Sequence, residues 1–130
     1  MSPRASFERL EVRADRRGFV YEPAQAAELA VQQNVHVVIS EPGAVRGNHF
    51  HRRGAEILTV VGPALIRVRE DGEVRDVTVA EGEVMRCHFP PLVPHAIRNT
   101  GTRPNVLVAF NTVGHDPSAP DVFPDELIRP

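Results

Sequence analysis

Cysteine occurs once in the 130 residues, at Cys87, so no internal disulfide can form and a reducing compartment is the expected setting. Charge of either sign is not in large excess. The formal net charge is −2, which supplies no general field for nucleic acid or acidic membranes, although local arginine clusters remain able to hold a phosphate. No apolar run is long enough to span a bilayer, and residues 1–20 carry charges throughout, so neither a membrane segment nor a secretory signal is expected and a cytoplasmic location follows. Nothing repeats at a fixed period. What is present is 42% apolar and 25% charged residues, enough for one domain with a real core over 1–130.

Short stretches rich in Val, Ile and Leu recur between turn-forming residues, the pattern of a small all-β protein. Phe7–Val12 alternates as a first strand. Val35–Ser40 is a continuous apolar run, expected to be buried on both sides. Glu56–Val61 and Ala64–Arg69 flank Gly62-Pro63. Asp71-Gly72 is a hairpin turn into Val74–Val79, and Glu81-Gly82 turns into Val84–Phe89. Ile97–Asn99 and Val106–Asn111 make a last pair. Only Ala24–Gln33 reads as helix, with Pro23 in its first turn. The core is expected over about 34–112, followed by a proline-rich tail, 115–130, running extended over the surface or a partner. So many regularly spaced strands point to a closed barrel or sandwich.

Four side chains carry the chemistry. His49 and His51 lie two apart and so share a strand face. Glu56 has the wrong parity on an unbroken strand, but Arg52-Arg53-Gly54 offers a bend, with Gly54 free to take unusual backbone angles. His95 opens a second alternating segment in which Ile97 and Asn99 share its face. Three imidazole nitrogens and one carboxylate oxygen suit a divalent transition ion such as zinc, nickel, iron, manganese or copper, and a set of three or four protein ligands leaves a position open for substrate.

These residues resemble a known family. Gly43-X5-His49-X-His51-X4-Glu56-X5-Gly62 resembles the first cupin motif, and Gly82…Pro90-X4-His95-X3-Asn99 the second. The fold implied is a single cupin, a double-stranded β-helix or jelly-roll barrel with an N-terminal strand. Departures lie in the loops: the last glycine of the first motif comes one residue early, the gap from Gly82 to Pro90 is two residues long, and Leu92 stands where a glycine is usual.

Within the cupins, Arg46-Gly47-Asn48-His49-Phe50-His51, Ile66-Arg67-Val68-Arg69, Pro90–His95 and Asp116-Pro117…Pro120-Asp121 resemble the C-terminal domain of the bifunctional capsular-polysaccharide enzymes. That resemblance implies a zinc-dependent epimerase acting on a nucleotide-linked keto-sugar, here without the preceding reductase domain. The Arg-Gly-X-His-X-His run also resembles the nucleotide-sugar 3,4-ketoisomerases, which are not expected to keep the glutamate and third histidine as metal ligands. Glu56 and His95 therefore favour the metal-binding branch.

Around the tetrad, Arg46, Arg67 and Arg69 are the substrate-binding candidates; the last two share a strand face and suit a diphosphate, against the alternative of a solvated face. Arg52 and Arg53 are explained by the bend. His88 and Tyr21 are the candidate proton-transfer groups, with a place on the barrel wall the competing reading for His88. His36 and His115 read as structural, Cys87 as a small core residue, and Asn99 and Asn111 as groups that close turns or orient ligands. The expected reaction is epimerisation or isomerisation at a carbon beside a ketone; an iron or nickel dioxygenase and a non-catalytic binding module are the alternatives. A homodimer formed through an exposed sheet is expected.

Overall fold

The computed structural model describes residues 4–130. Its strands are β1 (Ser6–Arg9), β2 (Arg13–Asp15), β3 (Gly18–Val20), β4 (Asn34–Ser40), β5 (Val45–Phe50), β6 (Glu56–Val61), β7 (Ala64–Glu70), β8 (Glu73–Val79), β9 (Val84–Phe89), β10 (His95–Asn99), β11 (Asn105–Asn111) and β12 (Phe123–Pro124). They form two five-stranded antiparallel sheets, ordered β1-β9-β6-β11-β4 and β12-β5-β10-β7-β8, with β2 and β3 a separate hairpin. Among the described residues no helix is long and apolar enough to cross a membrane.

The inner faces follow the period of two. Leu58, Val60, Cys87, Phe89 and Leu107 come from one sheet and Ile66, Val68 and Ile97 from the other, all in one buried cluster. Each such side chain contributes roughly 1.5–3 kcal/mol by leaving water. Cys87 is fully buried among them, and burial pushes its thiol well above the usual range. Asn99 closes a turn as expected, its Nδ2 donating to the carbonyls of Ser40 and Arg103 while its Oδ1 accepts from the Gly101 N–H.

Three expectations are corrected. β4 is an edge strand, not one buried on both sides: Val35, Val37 and Ile39 are 58%, 61% and 53% exposed on its outer face. Apolar continuity alone did not distinguish an edge with an uncovered face from a central strand. The helix, α1, covers Ala26–Leu29 only and buries none of its residues. The chain beyond it is drawn into the sheet, where the Gln33 N–H donates to the Asn111 carbonyl. The first strand ends at Arg9, and the β2–β3 hairpin that follows has too few residues to show a period.

The tail folds back on the chain. β12 pairs with β5, and Asn48, itself at φ 56°, accepts the N–H groups of Leu127 and Ile128 on its Oδ1. Ile128 is buried.

Candidate metal centre

Imidazoles gather at the end of the barrel where β5 finishes and β10 begins. His49 lies near the end of β5 opposite His95 at the start of β10, so the two are direct cross-strand partners. Gly47 makes that pairing possible. Its φ is +86°, and a Cβ there would lie 2.7 Å from the His95 carbonyl oxygen, where no side chain fits. β5 approaches β10 closely at this point, beside an irregularity in register between His95 and Ala96. Glu56 comes from the other sheet, at the first position of β6, opposite Phe89 and Asn111.

The bend between His51 and Glu56 has a partner that sequence reasoning missed. The Asp121 carboxylate in the tail accepts the backbone N–H groups of Arg52, Arg53 and Gly54. Burial works against its charge, but those N–H groups hold the carboxyl below the usual carboxylate range. The expected role of Gly54 is also corrected. Its φ is not in the left-handed region; glycine is needed because a Cβ would sit 2.2 Å from Asn111 Oδ1.

The four candidate ligands His49, His51, Glu56 and His95 converge, each offering an atom within 4.8 Å of the others. That is close to the span reached by bonds of roughly 2.0–2.2 Å from one centre. Two rings are aimed by their far nitrogens. His51 Nδ1 donates to the Asp121 carbonyl at 2.7 Å, and His95 Nδ1 donates to the Val93 carbonyl at 3.0 Å. Their Nε2 atoms then face Glu56 Oε2, at 2.9 and 3.1 Å. His95 Nε2 is too poorly aligned to hydrogen-bond there and is a buried nitrogen without a partner. The Phe89 ring stacks on the His95 ring, centroids 4.1 Å apart, and fixes its plane. An orphaned buried nitrogen, two rings oriented from behind and an ionised carboxylate are what a cation-binding set requires.

Electrostatics follows from this crowding. Burial, reinforced by the neighbouring His95, lowers His49 to about 4. Burial also disfavours a charged His51, but the adjacent Glu56 carboxylate outweighs it and raises His51 above its ordinary value. Burial would raise Glu56, yet His51 and His95 hold it well below the carboxylate range. A cavity of about 210 Å³ adjoins the cluster, lined by His49, Glu56, His95, Arg46 and His36 together with core side chains. A wider cleft of about 400 Å³ opens past His51, with Asn111, His115 and Asp121 on its walls.

The remaining candidates separate. Arg46 pairs with Ile97 across the strands and lines the cavity, its Nη2 donating to the Ile39 carbonyl at 3.3 Å. Arg67 and Arg69, expected to hold a diphosphate, face the opposite side of β7. Ile66 and Val68 fill the core, so their neighbours project outward, where Arg67 grips Asp76 and the Leu127 carbonyl and Arg69 grips Asp125. They tie the tail down. His88 alternates with the core residues Cys87 and Phe89, so it projects from the outer face of its sheet, where it meets Glu28 of α1. Tyr21 lies near Phe19, in a surface depression with Arg86. Neither lines the cavity that holds His49 and His95, although His88 shares a separate cleft with Glu56. His36, read as structural, faces the cavity.

The model of the polysaccharide biosynthesis C-terminal domain family matches residues 13–123. The chain belongs to that family. No curated protein matches the chain. The capsular polysaccharide assembling protein CapF from Staphylococcus aureus is 28% identical with a TM-score of 0.67, over 91% of this chain and 33% of CapF, so the chain spans about a third of that protein. QdtA, a sugar 3,4-ketoisomerase from Thermoanaerobacterium thermosaccharolyticum solved in complex with TDP, is 16% identical with a TM-score of 0.69, over 92% of this chain and 86% of its own. ChmJ, a 3'-monoepimerase from Streptomyces bikiniensis solved with dTDP-quinovose, is 20% identical with a TM-score of 0.71, over 88% of this chain and 66% of its own. The fold of this polysaccharide biosynthesis domain is therefore all-β, the cupin jelly roll expected from the motifs.

Proposed function

We propose that the chain is a metal-dependent epimerase or isomerase acting on a nucleotide-linked keto-sugar, with zinc the preferred ion. The observation that carries this reading is the convergence of His49, His51, Glu56 and His95 beside a cavity of about 210 Å³. Family membership and the likeness to CapF support the sugar-biosynthetic setting.

The donor set fits a divalent ion, and His49, His51, Glu56 and His95 would hold it. Such an ion supplies Lewis acidity to a ketone oxygen when bound. The protein's own part is orientation. Asp121 and Val93 hold a hydrogen on Nδ1 of His51 and His95 through their carbonyls, so that each ring, once neutral, turns the Nε2 lone pair toward the ion. The apolar wall made by Leu58, Ile97 and Leu107 gives the reacting carbon a surface of low polarity on one side. Arg46, at the exposed rim, keeps guanidinium donors for the phosphates of a nucleotide-sugar.

Incubation of the zinc-loaded protein with TDP- and UDP-linked keto-sugars in deuterated water tests this directly. Incorporation of deuterium at a carbon beside the ketone is expected. Absence of exchange across the panel would contradict the assignment.

A further inference from the structure

The cavity beside the tetrad offers one more group able to carry a proton. His36 pairs with Ala109 across β4 and β11, Ala109 with Leu58, and Leu58 with Cys87. Directly paired residues share a sheet face, and the last three belong to the core, so His36 projects inward. β4 is also the edge of its sheet, and there the barrel opens, which leaves this inward ring exposed to solvent. The ring lines the inner cavity together with His49, Glu56 and His95, and also the wider cleft that holds His51.

Elimination narrows the choice. Among the described residues, the ionisable groups on the inner cavity wall outside the tetrad are His36 and Arg46. A guanidinium stays protonated in proteins and accepts no proton. His36 Nδ1 lies 3.1 Å from Asn34 Oδ1, an oxygen that only accepts, so in the neutral ring Nδ1 carries the hydrogen and Nε2 the lone pair. That is the base form of the ring.

We propose that His36 Nε2 takes the proton from the carbon beside the ketone of a keto-sugar held in this cavity, an assignment that rests on the function proposed above. The C–H bond breaks and its proton passes to Nε2. Its electron pair becomes a carbon–carbon double bond as the carbonyl pair moves onto the oxygen. Protonation of that carbon from its opposite face by a water molecule inverts the centre, the hydroxide left behind takes the proton from the imidazolium, and the base is restored with no further reagent consumed.

The test compares native protein with His36→Gln and His36→Asn, all zinc-loaded. The probes are TDP-4-keto-6-deoxyglucose, the compound bound in a QdtA structure, and its UDP-linked counterpart. The variants are expected to take up as much zinc as native protein, to bind TDP with unchanged affinity by calorimetry, and to exchange deuterium into the probe about 10²–10⁴-fold more slowly. Exchange at the native rate in both variants overturns the role of His36 and leaves the proposed function standing. Loss of zinc or TDP binding in the variants also overturns it, because His36 would then support the site rather than move the proton. Native protein that exchanges neither probe overturns the assignment and the function together.

Discussion

At the scale of single residues, the tetrad is a mutual constraint. Glu56 stays ionised inside the barrel because His51 and His95 face it, and His51 is raised because Glu56 faces it. The sign for metal uptake follows. A coordinating imidazole must be neutral, and His51 without the ion holds its proton to a pH above its ordinary 6.5. Zinc affinity is therefore predicted to rise with pH through the region near and above 6.5 and then level off, with a proton from His51 released per ion below that point. His49, lowered to about 4, contributes no proton at neutral pH. Calorimetry in two buffers of different ionisation heat measures the release; uptake without it would contradict the pairing. Glu56→Gln removes the one anionic ligand and is predicted to weaken zinc more than the roughly 10–100-fold typical of losing an outer partner. The convergence of the four candidate ligands was legible because period-two alternation and motif spacing bring them together. The place of His36 on the cavity wall was not, because it depends on where the sheet ends, which β4's apolar run does not encode.

At the scale of elements, two local devices bring the ligands together. Gly47 lets β5 lie against β10 so that His49 meets His95. Gly47→Ala is predicted to cost about 1–3 kcal/mol in a urea unfolding titration, since it forces a side chain into a left-handed conformation and against the His95 carbonyl. Asp121 caps the bend that carries Glu56 inward and presents its carbonyl to His51. Asp121→Ala is predicted to weaken zinc about 10–100-fold in competition with a chromogenic chelator. Asp125→Asn, which loosens the Arg69 contact elsewhere in the tail, should leave zinc affinity unchanged. Equal losses in both variants would mean that the tail stabilises the fold without positioning His51. The bend itself was visible in Arg52-Arg53-Gly54; its cap, some 70 positions away, was not. Arg67 and Arg69 lie away from the cavity for a related reason: a shared strand face was readable, but which face turns outward depends on the packing of Ile66 and Val68.

At the scale of the whole molecule, the jelly roll holds candidate ligands from both sheets against each other. Strand alternation and turn residues made this architecture readable, whereas the uncovered outer face of β4 was mistaken for a buried one. That face presents Val35, Val37 and Ile39 to solvent beside the partly exposed Val106 and Val108 of β11. An apolar edge of this kind is stabilised by pairing with a second copy. The protein is predicted to be a homodimer, and Val37→Lys with Ile39→Lys to give a monomer, by light scattering at micromolar concentration. A native monomer would leave the exposed strip without this explanation.

The proposed function stands on a cation held jointly by the two sheets. Elemental analysis after equilibrium dialysis against zinc is the most direct measurement of it. About one tightly held ion per chain in native protein, and none in His49→Ala, is the predicted result; native protein that retains no stoichiometric metal would contradict the account.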